Sequence, residues 1–340
     1  MVKQICLVPR LKGLGGMVSF QTKFIQGLQK RGIAFTFDPA DPQNDAILII
    51  GGWRKIPTLF KARHRGVLIV QRLNGMNWLH KVQKTRFKDW LRAENANRLL
   101  SFIRRSLCHE IIYQSGFSKT WWESQHGKLR KPDHVIFNGV NLDTYSPDEL
   151  ETPPSDHFRI LLVEGHLTEA SSAGVAIACR MADILQEKML LPIELMVAGD
   201  VPRTVQDHIQ KEYPDLNLLW MGVVPNTDIP ALDRSAHLLF SADLNAACPN
   251  SVIEALACGL PVLSYDTGAL SEIISESAGT VVPYGSNHWK LEAPDISALA
   301  EAAIPILKNN NKYRQGARAQ AVKCFSLDAM VDAYLKVLLK

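Results

Sequence analysis

Apolar residues fall along this chain in two alternating rhythms. Short unbroken runs, "QICLVP", "AILII", "GVLIVQRL" and "EIIYQS", have the length and branching of buried strands, and "AFTF" and "HVIFNGV" add two more. Between them lie segments with a period near 3.6. After the glycine-rich turn "KGLGGM", residues from about Val18 to Arg31 bring Phe20, Phe24 and Leu28 to one face, which predicts a helix. The stretch from Lys81 to Glu110 is helical and basic. Phe87, Trp90 and Leu91 share one face there, and Leu99, Leu100, Ile103 and Leu107 another, among Lys84, Arg86, Lys88, Arg92, Arg104 and Arg105. The polar, proline-bearing "DTYSPDELETPPSD" breaks the pattern and reads as a linker. The alternation then restarts with "FRILLVEGH", a helix near 172–187, "IELMVAGD", a helix near 203–213, "LNLLWMG" and "HLLFSA". Three helices close the chain near 296–308, 312–323 and 327–338.

Strands alternating with helices in both halves predict an α/β chain of two doubly wound, Rossmann-like parallel sheets. The expected domains are 1–150 and 151–326, with the C-terminal helix, about 327–340, packing back onto the first. Two such domains facing across a cleft would make a ligand site.

"PNSVIEALACGLPVLSYDTGALSEII", Pro249 to Ile274, sets Glu254 among apolar neighbours. Asn250 reads as the N-cap of a short helix from Ser251 to about Cys258; Gly259 ends it and Pro261 forbids its continuation. "VLSY" follows as a buried strand, and Asp266-Thr267-Gly268 as the loop leaving it. In a parallel sheet this helix starts at the edge where strands end, which is where doubly wound sheets bind ligands. The N–H groups of Ser251, Val252 and Ile253 would suit an anion such as phosphate. A carboxylate pairs poorly with phosphate, so Glu254 either accepts from neutral hydroxyls, as on a sugar, or complements the helix dipole.

Composition narrows the class. The 340 residues are 46% hydrophobic and 21% charged, too many for one ordinary core and free of low-complexity tracts. The longest apolar runs are strand-sized, short of a membrane span or a signal peptide. Six scattered cysteines without CxxC spacing suit reduced thiols in a cytosol, and ten histidines without an HxxxH pair offer no metal site. The net charge of +4 divides unevenly: residues 1–150 hold 24 Lys/Arg and 11 Asp/Glu, a balance of +13, against 14 and 23 in the remainder, −9. The first half therefore suits an anionic partner. Nucleic acid is not expected, because no recognition motif appears and aromatics do not interleave the basic residues. For 81–110 two readings stand: an amphipathic helix with Trp and Phe in the core, or a face for an anionic membrane or lipid-linked acceptor, with peripheral attachment.

The order and spacing of "IIYQSGFSKTWWESQHG…HVIFNGVNLDTYSP", "ILLVEGHL…IELMVAGD" and the 249–274 block resemble the family-4 glycosyltransferases over nearly the whole chain. The "GLGGM" loop and the "CFSLDAMVDAYLKVLL" tail fit as well. The resemblance implies the GT-B fold. It also implies a retaining, metal-independent transfer of a sugar from a nucleotide diphosphate donor (a UDP-, GDP- or ADP-sugar) to a glycan or lipid-linked acceptor. The donor would sit mainly on the second domain and the acceptor on the first. Glu254 resembles the second glutamate of the family's glutamate–seven residues–glutamate motif, a ribose acceptor. Asn250, Ser251 and Val252 would face the diphosphate or sugar, and Gly15 and Gly16 resemble the glycine loop at the phosphates. A tight turn into a helix is the other reading of that loop. Gly199 and Asp200 would lie near the base.

Three positions depart from the pattern. The family's arginine becomes His166, its lysine has no counterpart where Ser171 and Ser172 stand, and its first glutamate falls at Ala246. Those cations neutralise the leaving diphosphate, and a lost donor of this kind typically costs about 3–4 kcal/mol. His166 reads either as a partial replacement or as a polar loop residue. Arg10, Lys12 and Arg72 read as groups reaching over from the first domain; for Arg10 and Lys12 the alternative is solvated surface charge. Arg72 and Asn74 end a buried strand at the ligand edge. The other classes are a catalytically degenerate GT-B protein that binds nucleotide or carbohydrate without transfer, and a nucleotide-sugar epimerase.

Overall fold

The structure, a computed structural model, describes residues 3–13, 15–148, 151–166 and 173–340. The chain forms two compact units: Met1–Gly139 with Leu327–Lys340, and Val140–Ser326. The first junction therefore falls at Gly139/Val140, earlier than the polar stretch to residue 150. Val140 is already held by the second unit, donating to the Phe325 carbonyl and bridging to Ser326.

In the first unit, strands β1 (Gln4–Val8), β2 (Ala34–Thr36), β3 (Ala46–Ile50), β4 (Leu68–Leu73), β5 (Glu110–Tyr113) and β6 (Asp133–Val135) make one parallel sheet in the order β2-β1-β3-β4-β5-β6. Every residue of β3 is buried, as a strand covered on both faces requires. Helix α1 (Gly16–Lys30) lays Phe20, Phe24 and Leu28 on the sheet. Helices α2 (Ile56–His64), α3 (Phe87–Phe102) and α4 (Gly116–His126) follow in the same unit.

Within 81–110 the single helix expected is broken. A 3₁₀ turn, Leu79–Lys81, precedes α3, and a π-helical turn, Ile103–Leu107, ends it. Two side-chain expectations there are corrected. Of the two readings for 81–110, the one that puts its Trp and Phe in the core fails: Phe87, Trp90 and Leu91 are exposed, although Trp90 meets the buried His80 ring. Arg104 is buried rather than solvated: its guanidinium donates to the Tyr113 hydroxyl (2.9 Å) and the Gly127 carbonyl (3.0 Å).

In the second unit, β7 (Phe158–His166), β8 (Ile193–Asp200), β9 (Asn217–Gly222), β10 (Leu238–Ser241), β11 (Val262–Tyr265) and β12 (Gly279–Val282) form a parallel sheet ordered β12-β11-β10-β7-β8-β9. Its helices are α5 (Ala173–Lys188), α6 (Arg203–Glu212), α7 (Ile229–Ser235), α8 (Asn250–Ala257), α9 (Leu270–Ile273), α10 (Ile296–Lys308) and α11 (Asn310–Cys324). Helix α12 (Leu327–Leu338) then returns to the first unit. Val331, Tyr334 and Val337 join the core beneath α1, which approaches so closely that a Cβ at Gly27 would lie 2.4 Å from Val331. The α/β class with two doubly wound sheets is as expected. All six cysteines are free thiols. No helix among the described residues is long and apolar enough to cross a membrane.

Candidate functional site

In a parallel sheet whose strand order reverses, the crevice outside the strands' carboxyl ends at the reversal is the natural ligand position. The second unit reverses between β7 and β10: from β7 the chain runs outward through β8 and β9, and from β10 through β11 and β12. The segments leaving those ends carry most of the expected site. His166 is the last residue of β7 and pairs with Asp200 at the end of β8, beside Gly199. Only the backbone of His166 is described. Ser171 and Ser172 lie outside the described residues.

Helix α8 starts at this edge, and two loops fix its entry. Asn245 turns the chain with a left-handed φ of 57°, and Gly268, with φ of 65°, presses its backbone on the Asn245–Ala246 peptide. A Cβ at Gly268 would meet the Ala246 nitrogen and oxygen at 2.5 Å, so only glycine fits. The Ala269 N–H donates to the Ala246 carbonyl (2.9 Å), and the Thr267 hydroxyl to the Asp243 carbonyl (3.3 Å). At the far end, Arg318 donates to the Ala257 carbonyl (2.7 Å), and Gly259, with φ of 72°, carries the chain away.

The start of α8 differs by one residue from expectation. Pro249 holds the cap position in extended conformation with no side-chain cap bond, and Asn250 is the first helical residue. Proline's fixed φ suits this entry. The Ile253 N–H already reaches the Pro249 carbonyl (3.4 Å), so Ile253 is not among the first-turn N–H groups for which the helix has no acceptor, whereas Ser251 and Val252 are. No acidic residue occupies this first turn. Glu254, the fifth residue, is half-buried, and helical side chains lean back toward the N-terminus. Its charge is felt nearby. Burial first, and Glu254 next, push the Asp233 carboxyl and the Tyr145 phenol up from their ordinary values.

Asn245 was not singled out from the sequence. It is 4% exposed, and neither its amide oxygen nor its nitrogen has a hydrogen-bond partner. A buried amide left unsatisfied costs about 1–3 kcal/mol, a burden typical of functional loops. Nothing in the local sequence marks it, because Asn at positive φ is common and its burial comes from the packed loops.

The first-unit candidates divide. Gly15 and Gly16 stand at the start of α1, with Gly15 at φ 115° and open space around the position a Cβ would take; conformation, not crowding, selects glycine there. Arg10 is exposed with its guanidinium 5.1 Å from the Phe37 ring centre, and Lys12 is exposed. Arg72 does end β4 at the ligand edge, but its side chain turns inward. It is 1% exposed, lies 3.7 Å over the Phe20 ring, and donates to the Tyr334 hydroxyl (3.1 Å), Asn74 Oδ1 (2.8 Å) and Asn138 Oδ1 (2.8 Å). Asn74 is half-buried, and its carbonyl accepts from the Trp122 indole (2.7 Å). Among the described residues no cluster of three metal-ligating side chains occurs.

Residues 152–322 match the model of the family described as glycosyl transferases group 1. Alpha-monoglucosyldiacylglycerol synthase of Streptococcus pneumoniae is 24% identical in an alignment of 225 residues that covers 60% of this chain and 49% of that protein. The chain thus spans about half the length of the curated relatives it matches. Among solved structures, sucrose-phosphate synthase from Thermosynechococcus elongatus aligns with a TM-score of 0.73 at 15% identity, covering 98% of each chain. Anabaena HepE, solved with UDP and glucose, aligns at 0.69 and 15%, covering 99% of each. At such identities these likenesses carry the fold, the two-domain α/β architecture of GT-B glycosyltransferases.

Proposed function

We propose, from the premise that this chain belongs to the group 1 glycosyl transferases, that it is a family-4-like retaining hexosyltransferase. It moves a sugar from a nucleotide diphosphate-sugar to a glycan or lipid-linked acceptor. The observation that carries the reading is the start of α8. The first-turn N–H groups of Ser251 and Val252, for which the helix itself has no acceptor, a first turn without an acidic residue, and Glu254 one turn on stand at the switch point of the second sheet. An array of N–H donors at a helix N-terminus suits a diphosphate, and a carboxylate one turn on suits ribose hydroxyls. The complex of HepE with UDP and glucose supports a uridine donor, and the lipid product in the name of the pneumococcal relative supports a lipid-linked acceptor.

In this proposal Asn250, Ser251 and Val252 hold the diphosphate, Glu254 the ribose, and Gly199 and Asp200 border the base. Gly15 and Gly16 give the phosphates a close backbone approach. Asn74, Arg10 and Lys12 belong to the acceptor side. The anomeric carbon–phosphate oxygen bond breaks as the acceptor oxygen bonds the same face of that carbon, and the acceptor proton passes to the departing phosphate oxygen. No cofactor or metal is assigned a step. With Arg72 engaged in the interior, His166 and the α8 N–H groups are left to stabilise the departing charge, and peripheral attachment on the cytoplasmic side completes the reading.

The test is nucleotide release from UDP-, GDP- and ADP-sugars by the full chain, followed chromatographically. One donor should be hydrolysed slowly without acceptor. Ser251→Pro removes one N–H in the first turn, where proline is tolerated, so kcat/KM should fall about tenfold with little change in Tm. No release from any donor by folded protein would move the reading to binding without transfer.

A further inference from the structure

The beginning of α3 carries large apolar side chains that the described residues leave exposed. Phe87 is 75% exposed, and Trp90 and Leu91, three and four residues on, share its face and are also exposed. Leu79 and Val82 of the preceding turn are exposed too. The two segments form one patch: the Trp90 ring stacks on Phe87 (6.4 Å, 8°) and meets the His80 ring edge-on (6.1 Å). They are also locked together from below. Asn97 grips the Asn77 backbone through both its N–H (3.0 Å) and carbonyl (2.8 Å), and Glu94 bonds His80 (2.8 Å). The patch is thus a fixed feature of the fold, not a frayed end.

Its rim is cationic. Lys81, Lys84, Arg86, Lys88 and Arg92 are all exposed between Leu79 and Arg92; Arg92 pairs with Asp89 (3.4 Å) and Lys81 with Glu94 (3.4 Å), which leaves Lys84, Arg86 and Lys88 as the excess positive charge. Large exposed apolar side chains ringed by charge mark an interaction surface. Exposed Phe, Trp and Leu close to several lysines and arginines differ from the centre of a protein interface, where charged residues are depleted. An aromatic and aliphatic face flanked by flexible lysines and arginines matches a lipid interface, where rings settle at the headgroup level and long cationic stems reach the phosphates.

We propose that the face formed by Leu79, Val82, Phe87, Trp90 and Leu91, with its basic rim, docks this protein on an anionic lipid bilayer. Lys84, Arg86 and Lys88 draw the chain to the negative surface, and the apolar side chains enter the headgroup–acyl boundary. The inference concerns the first unit only and does not rest on sugar transfer, since docking is read without nucleotide.

The experiment is cosedimentation of the full chain with phosphatidylcholine vesicles lacking or containing phosphatidylglycerol, over a range of salt. Two surface variants accompany it: Phe87→Ser/Trp90→Ser/Leu91→Ser, and Lys84→Glu/Arg86→Glu/Lys88→Glu. The expected result is binding that needs the anionic lipid, weakens with salt, and falls at least about tenfold in each variant, with Tm nearly unchanged because these residues pack on little. Wild-type tryptophan emission should shift to the blue on binding, and that shift should be lost with Trp90. Three results would overturn the proposal. One is no binding to anionic vesicles. Another is binding that both variants retain. The third is a concentration-dependent dimer, abolished by the apolar variant without any vesicle binding, which would give the face to a second copy.

Discussion

Alanine at position 72 is expected to destabilise the first unit by about 4 kcal/mol, lowering its thermal transition by roughly 10 °C. Arg72 bridges the ends of β4 and α12: its guanidinium joins the Tyr334 hydroxyl, the Asn74 and Asn138 side chains and the face of Phe20. Truncation leaves two amide oxygens without these donors inside the protein and opens a cavity beside Phe20, and the two costs add. Thermal unfolding followed by near-UV circular dichroism reads the result. An Arg72 that served at the surface would behave in the opposite way, with Tm unchanged and only turnover lost.

Glu254→Ala is expected to weaken nucleotide binding about 30- to 150-fold, the equivalent of about 2–3 kcal/mol for hydrogen bonds to a charged acceptor. The helix should survive, since alanine is its best former and α8 is pinned by Arg318 at one end and by the loops of Asn245 and Gly268 at the other. Relief from the Glu254 charge should also bring the Asp233 carboxyl partway back down, because that charge is the second cause of its elevation after burial. Calorimetric titration of the variant checks the affinity. If Glu254 only complemented the helix dipole, affinity would change less than about fivefold, in line with the 0.3–1 kcal/mol of such pairs.

Much of the architecture is legible in the order of residues, for a simple reason. A strand buried on both faces has to be apolar throughout, so "AILII" announces β3, and a helix on such a sheet has to repeat near 3.6, so Phe20, Phe24 and Leu28 announce α1. The closing helices were readable in the same way, and α8 was placed to within a residue by its proline, glycine and apolar run. What periodicity cannot supply is the partner. Phe87, Trp90 and Leu91 lie on one face in the sequence, but whether another element covers that face depends on tertiary packing, and here the described residues leave all three exposed. Arg72 shows the converse. Its position at the end of β4 was visible, yet the inward turn of its side chain depends on Tyr334, 262 residues away. Gly268 reads in the sequence only as part of a loop, and Asn245 is not marked at all, because their significance arises only where two loops meet. His166 is located at the end of β7 by its backbone alone.

The central claim is that the start of α8 binds the diphosphate of a nucleotide. The most direct measurement is calorimetric titration of the full chain with UDP, GDP and ADP, each beside its monophosphate. The account predicts saturable binding of one diphosphate, tighter than the corresponding monophosphate because more of the N–H groups at the start of α8 find a charged acceptor. It is contradicted if folded protein binds none of the three, or binds mono- and diphosphates equally.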